Sequence, residues 1–277
     1  MKGAQMAKPS GLEEYRDWAT EALDSDFSNP QLQRIYETNA NNILSSVLRH
    51  PFFVRFSEEA LRWSESYQSG SRSELFMGSP EPSLVVKPFT SVVEKTYRQN
   101  VLRNDAFPNG PLKGWIDKRN LYSKINDLVR GTLVCRFIDG PQFVAEQIEK
   151  YAMRLDLRTR RYSHERDDGY YAFHSYVTFP VPIFDVDWNQ AEIPVEVEIQ
   201  ITTQLQDVLR SLTHHLYEGQ RLQSEESGKW KWDFASNRFR VSYLSHTLHL
   251  IESIILDSRD RVLSETESNS RLGKTRK

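Results

Sequence analysis

The sequence predicts an α+β fold: a mixed β-sheet flanked by helices, with helical extensions at both ends of a single domain spanning residues 1–277. Three observations predict it. Apolar residues recur at 3- and 4-residue spacings over 11–70, the N-terminal extension, and over 230–265, the C-terminal helices. In the middle the period drops to two, and β-branched and aromatic residues concentrate there. Strands and helices alternate inside a core of residues 85–220, so the order is helices, then strands mixed with helices, then helices. A chain of 277 residues can bury roughly 70–75% of its unfolded surface, enough for a full hydrophobic core.

In the N-terminal extension, Leu23 with Phe27, Leu32 with Ile35 and Tyr36, and Ile43, Leu44, Val47 and Leu48 form apolar groups at helical spacing. Asn29-Pro30 and His50-Pro51 divide these helices, because a residue before proline disfavours the helical region. Ser64–Ser83, rich in Ser, Gly, Glu and Pro, reads as a loop, as does Asn104–Gly114. Leu128–Ile138 (LVRGTLVCRFI) is a β-rich run, and Gly140-Pro141 opens a helix through Met153. Tyr170–Phe179 is the second strand. Ile193–Thr202 is the third and the most regular. Ile193, Val195, Val197, Ile199 and Ile201 face one way, and Glu196, Glu198 and Gln200 the other, so one face meets a core and the other presents carboxylates. Thr203 starts a helix, with Gln206 three residues on for a capping box and Leu205, Val208, Leu209, Leu212 and Leu216 as its apolar stripe. A final helix near 239–263 is expected to bury Val241, Leu244, Leu248, Ile251 and Ile255, with the last dozen residues frayed.

Lys+Arg 36 against Asp+Glu 38 leaves a formal charge of −2, which argues against attachment to nucleic acid or anionic lipid by bulk charge. The single cysteine, Cys135, excludes an internal disulfide and a multi-cysteine zinc site, and its apolar neighbours make it a buried structural thiol. The first residues lack the apolar region of a secretory signal, and no window reaches the roughly 18 apolar residues of a membrane span. A cytoplasmic protein with no membrane partner is expected. P-loop, GxGxxG, HExxH and GxSxG patterns are all missing. His214-His215 and His246 with His249 read as structural histidines.

Carboxylates in alternation on one strand face repel each other unless water, cations or a metal balance them, and removing one would leave stability unchanged or slightly raised. Asp127 lies at the mouth of another strand, where it can share a Mg²⁺ with a glutamate on a neighbouring strand. Cations crowd the same stretches: Lys87, Lys95 and Arg98; Lys118, Arg119 and Lys124; Arg158, Arg160, Arg161 and Arg166. Cations beside carboxylates in a nearly neutral chain suit a substrate of phosphate plus metal.

KPFTSVVEK (Lys87–Lys95), INDLVRG (Ile125–Gly131), DGYYAFHSY (Asp168–Tyr176), EIQITTQL (Glu198–Leu205) and HHLYE (His214–Glu218) follow one another in this order. Together they resemble the RelA/SpoT nucleotide pyrophosphokinase domain, the synthetase of (p)ppGpp, over residues 85–220. The resemblance implies a RelA/SpoT synthetase-like nucleotidyltransferase core that moves the β,γ-pyrophosphate of ATP to the 3′-hydroxyl of a purine nucleotide, GDP or GTP, with Mg²⁺. It implies Asp127 and Glu198 as the catalytic and metal-binding acids. Tyr170 corresponds to the tyrosine that stacks on the acceptor base, His174 and Gln200 to polar groups near that acceptor, and Arg166 to a phosphate-binding lysine. Lys87, Ser91 and Lys95 match part of the ATP-phosphate motif, beside Arg98; His214 and Tyr217 match the helix that closes the site.

The chain departs from the family where Thr132, Val85 and Thr202 stand in place of arginines. Arg130, two residues from 132 on the same strand, keeps its side chain on the same face and can substitute. Tyr171 and Ala172 replace a polar pair after the loop tyrosine, which puts acceptor identity in question. With no HD-type hydrolase motif ahead of the core, the resemblance is to the small single-domain branch. Some of its members are toxins neutralised by an antitoxin protein, and some pyrophosphorylate the 3′-CCA end of tRNA. Arg154, Arg158, Arg160, Arg161 and Arg166 would be the landing strip for such a tRNA. A free nucleotide remains ahead, because one arginine-rich stretch in a net-negative chain is thin support for RNA. A non-catalytic nucleotide- or RNA-binding module is the alternative of another class; a purely structural helical protein would leave the acid-bearing strand face unexplained.

Overall fold

The computed structural model describes residues 8–184, 190–220 and 229–274, with side chains over 8–183, 191–213 and 230–265. The order is α1 (Leu12–Leu23), α2 (Pro30–Arg49), α3 (Pro51–Val54), α4 (Phe56–Ser71), β1 (Val85–Val86), α5 (Phe89–Tyr97) with a π turn at Arg98–Leu102, and α6 (Leu121–Lys124). Then come β2 (Val129–Cys135), α7 (Gly140–Arg154), β3 (Thr159–Glu165), β4 (Tyr171–Phe184), β5 (Gln190–Thr203), α8 (Gln204–Gln220), a 3₁₀ turn at Lys229–Trp232, and α9 (Asn237–Lys274). The five strands form one mixed sheet in the order β1-β2-β5-β4-β3. Only β2 and β5 run parallel; the other pairs are antiparallel. The fold is α+β, a mixed sheet flanked by helices. Among the described residues no helix is long and apolar enough to cross a membrane.

Both proline boundaries act as helix starts. Pro30 and Pro51 occupy first-turn positions, where the missing N–H costs nothing, and the side chains of Asn29 and His50 accept from the Gln31 and Phe52 amides. The apolar face of the sheet, Val195, Val197, Ile199 and Ile201 beside Val177 and Phe179, is fully buried. Helices α2 and α7 pack on it. At the α3–α4 corner, Phe52, Phe53, Phe56 and Tyr151 close ring to ring around Phe179. Cys135 lies in this core, and burial pushes its thiol well above the ordinary range.

Several sequence expectations are corrected. The loop expected from Ser64 is helix as far as Ser71, because Trp63 and Tyr67 continue the buried stripe of Phe56 and Ala60. The serines that looked loop-like bond backwards to carbonyls one turn earlier, Ser64 to Ala60 and Ser71 to Tyr67. Strands β4 and β5 run past the expected ends into a two-stranded ribbon, with Pro180 opposite Pro194. Beyond the reach of β2 and β3 the ribbon has two open edges, where a proline need not donate to a neighbour.

The largest revision concerns the C-terminal helices. On α8, Gln206, Leu209 and Thr213 are buried, whereas Val208 and Leu212 are exposed, Leu212 by 73%. Leu216 lies outside the residues whose side chains are described. On α9 the buried face is Ser242, Ser245 and Glu252, while Leu244, Ile251 and Ile255 point to solvent, Val241 and Leu248 are half-buried, and the helix continues to Lys274 instead of fraying. Periodicity locates a helix face, but here α9 packs its polar edge on α8 and on the turn before β4. Thr203 caps α8 from its hydroxyl, which accepts from the Gln206 amide, but the Gln206 side chain reaches α9 and leaves the capping box half formed.

The aromatic cluster sets a stability test. Phe179→Ala should cost about 3–5 kcal/mol in denaturant unfolding, since the rings around it cannot collapse into the space left. A loss below about 1 kcal/mol would show that the cluster is not the core of the sheet packing.

Candidate active site

Because β2, β5, β4 and β3 pair in fixed register, their polar-face residues form rows across the sheet. One row is Arg130, Glu198, Tyr176 and Arg160; the next is Thr132, Gln200, His174 and Tyr162. Residues two apart on each strand share a face, so both rows point the same way, opposite the buried valines and isoleucines.

Asp127 ends the turn that feeds β2. Its Oδ2 accepts from Lys87 Nζ at 2.9 Å and its Oδ1 from Lys95 Nζ at 2.8 Å. Lys87 follows β1, its backbone held by the Leu128 carbonyl and by the Tyr36 hydroxyl, which donates to the Lys87 carbonyl. Lys95 comes from α5 and also donates to Asn126. Lys87 is only 3% exposed, and burial pulls its ammonium down although Asp127 offsets part of that. Burial would raise the Asp127 carboxyl, but the two ammonium groups hold it well below the usual carboxylate range.

Glu198, 5% exposed, sits in a network of donors. Its Oε1 is 2.7 Å from both His174 Nδ1 and the Tyr176 hydroxyl, and its Oε2 is 2.9 Å from Gln200 Nε2. Burial raises its carboxyl, and His174 with Tyr176 more than reverses that, leaving it below its ordinary value. His174 Nε2 in turn meets the Tyr170 hydroxyl at 2.8 Å, so Tyr170, His174 and Glu198 form one chain of hydrogen bonds. The Arg166 guanidinium lies over the Tyr170 ring at 5.2 Å.

One cleft of about 2240 Å³ joins these groups. It takes in Lys87, Lys95, Arg98, Asp127 and Arg130 at one end, Glu198, His174 and Gln200 in the middle, and Arg166 and Tyr170 at the other. Pockets for one small ligand span roughly 300–1,000 Å³, so this cleft has room for two nucleotides. Ser91 stands half-buried in the first turn of α5 and is not among the cleft's lining residues. The side chains of His214 and Tyr217 lie outside the described ones.

The acids are not a cluster left to repel. Glu196 is held by Arg160 through two hydrogen bonds of 2.8 and 2.6 Å, Glu198 by neutral donors and an imidazole, and Asp127 by two lysines. The expected gain in stability on removing one is therefore reversed for Asp127. Of the arginine run, Arg154 pairs with Glu59, Arg160 on the cleft side pairs with Glu196, and Arg161 faces α7 and pairs with Glu146 and Glu149, while Arg158 and Arg166 are exposed.

Several cleft residues escaped the sequence reading, among them Arg210, Tyr176, His164 and Ser245. Arg210 on α8 brings its Nη1 to 3.1 Å from Gln200 and 3.4 Å from Thr132 while its Nη2 holds Asp207. Tyr176, two positions from His174, was readable from strand alternation. The His164 ring lies 4.1 Å from that of His174, tilted by 56°, and desolvation, with His174 and Arg166 nearby, pushes its imidazole down to about 4. Ser245 comes from α9, which no motif linked to the site.

The Asp127 geometry has a pH signature. A carboxyl depressed in the folded state adds stability that is present above its unfolded value near 4 and lost as pH falls toward the folded value. Asp127→Asn strands two ammonium groups and should cost about 3–5 kcal/mol at pH 7, the difference from wild type shrinking below about pH 4. Equal unfolding midpoints at pH 7 would remove the pair from the account of stability.

No family model and no curated protein matches the chain. Among solved structures it is similar to the small alarmone synthetase 1 of Bacillus subtilis bound to its product pppGpp, at 21% identity and a TM-score of 0.44 over 75% of this chain and 95% of that one. The same synthetase bound to AMPCPP aligns at 19% identity and a TM-score of 0.47, covering 84% of this chain and 100% of that one. A GTP pyrophosphokinase family protein from Streptococcus pneumoniae aligns at 15% identity and 0.47, covering 83% and 95%.

Proposed function

We propose that this protein is an ATP-dependent nucleotide pyrophosphokinase that transfers the β,γ-pyrophosphate of ATP to the 3′-hydroxyl of a guanine nucleotide. The observation that carries the reading is one cleft with lysines around a half-buried acid at one end, a hydrogen-bonded acid in the middle, and a tyrosine beside an arginine at the other. Phosphoryl-type transfer asks mainly for positioning and charge neutralisation, and this arrangement offers both.

The donor set fits a Mg²⁺: Asp127 and Glu198 are oxygen ligands lining one cleft, and this ion is commonly held by one or two carboxylates plus substrate phosphates. When bound there it would neutralise charge on the transferring phosphates. In this reading Lys87, Lys95, Arg98 and Arg130 hold the ATP phosphates, with Ser91 behind them on α5, and Arg210 adds a guanidinium beside Thr132. Glu198, ionised at neutral pH, accepts the hydrogen bond of the acceptor hydroxyl, and His174 and Gln200 fix its orientation. Tyr170 offers its ring to the acceptor base, worth about 1–3 kcal/mol, and Arg166 meets the acceptor phosphates. The same reading gives the residues His214 and Tyr217 of α8 the role of closing the site. The pairing of Arg154, Arg160 and Arg161 with carboxylates supports a free nucleotide over a tRNA, whose backbone needs cations not already committed.

Incubation with labelled ATP and GDP or GTP should release AMP in step with a pyrophosphorylated product; no AMP with these acceptors or with uncharged tRNA would overturn the reading. Glu198→Gln should lower kcat by about 10²–10⁴-fold with the fold intact. Arg210→Ala should weaken binding of a non-hydrolysable ATP analogue by about tenfold or more, the loss of one charge-assisted contact.

A further inference from the structure

Helix α9 lies outside the stretch that carries the pyrophosphokinase motifs, yet Ser242, Ser245, His246 and His249 converge on one segment, residues 167–171, which holds Tyr170. The Ser245 hydroxyl donates to the Gly169 carbonyl and lies 2.8 Å from Gln206 Oε1, and the Gln206 amide reaches back to the Ser245 carbonyl at 3.3 Å. His246 bridges the Tyr171 hydroxyl at 2.7 Å and the Asp167 carbonyl at 3.1 Å. His249 stacks face to face on the Tyr171 ring, 3.7 Å between centroids and 6° between planes. Gly169 adopts a left-handed φ of +84°, and a Cβ there would come within 2.7 Å of Ser245 Cβ and 2.8 Å of the Ser242 carbonyl. The turn is pressed onto the helix backbone.

Apolar burial does not explain why α9 sits there, since Leu244, Leu250, Ile251, Ile254 and Ile255 face solvent while its hydrogen bonds and ring stack face the turn. A second point is separately fixed: Arg259 donates to the Tyr67 hydroxyl and to Asp139 and lies over the Phe137 ring. A helix held over 242–249 and again at Arg259 is a rigid strut against a turn that leads through Tyr170 and His174 to Glu198.

We infer that α9 is a clamp on the acceptor turn, with Ser245, His246 and His249 as positioning residues that hold Tyr170 where an acceptor nucleotide base would stack. The acceptor's part in this rests on the proposed function. The clamp itself rests only on the contacts.

Two measurements on the full chain test it. His249→Ala and Ser245→Ala should each raise the KM for GDP or GTP by about three- to tenfold, the scale of one ring stack or one hydrogen bond, and leave the KM for ATP unchanged. Amide hydrogen exchange over 167–171 should accelerate in the same variants, with the β4 amides beyond Tyr171 and those of β5 unaffected. His249→Phe keeps a flat ring on Tyr171 and should preserve both. A rise in both KM values together with faster exchange across the whole sheet would show a merely structural helix and overturn the inference, as would unchanged exchange over 167–171. If wild type turns over neither GDP nor GTP, the proposed function falls, and the exchange comparison still decides whether α9 holds the turn.

Discussion

Everything in the cleft depends on the pairing register of β2, β5 and β4. The parallel β2–β5 ladder sets Arg130 opposite Glu198, and the antiparallel β5–β4 ladder sets Glu198 opposite Tyr176 and Gln200 opposite His174. A slip of one residue in any strand would turn these groups into the apolar core and bring valines and isoleucines to the cleft. That alternative is closed by burial: Val195, Val197, Ile199 and Ile201 have no accessible surface, and returning them to water would cost about 1.5–3 kcal/mol each. The hydrophobic face thus holds the polar face in place.

A polar face so dry has to satisfy its own groups. Glu198 and Lys87 are almost without solvent, and a buried charge lacking partners costs several kcal/mol. Each has them: two lysines share Asp127, and an imidazole, a phenol and an amide surround Glu198. The same contacts that make these groups affordable to bury also lock their rotamers, so the cleft is preorganised.

The helices divide the remaining work. Helices α2, α7 and the aromatic corner of α3 and α4 cover the apolar face and supply most of the core. On the polar side α8 contributes Arg210, and α9 presses on the turn before β4. The two sides differ in kind: one is held by close-packed rings, the other by hydrogen bonds and a ring stack, with apolar side chains left outward.

The sequence by itself determined three of the five strands, the helix breaks at both prolines, and the apolar and polar faces of β5. These are local properties: alternation, proline geometry and motif order are written within a few residues. Three things only the tertiary structure decided. Ser64–Ser71 is helix because Trp63 and Tyr67 find a core to bury in, although the intervening serines favour turns. Arg210 reaches Gln200 and Thr132 because α8 folds back over the sheet, and no spacing along the chain shows which helical arginine will do so. The buried edge of α9 is polar because its partner is a turn rich in backbone carbonyls. Amphipathic periodicity shows which residues are apolar but not what the helix will find opposite, and that depends on where the chain returns in space.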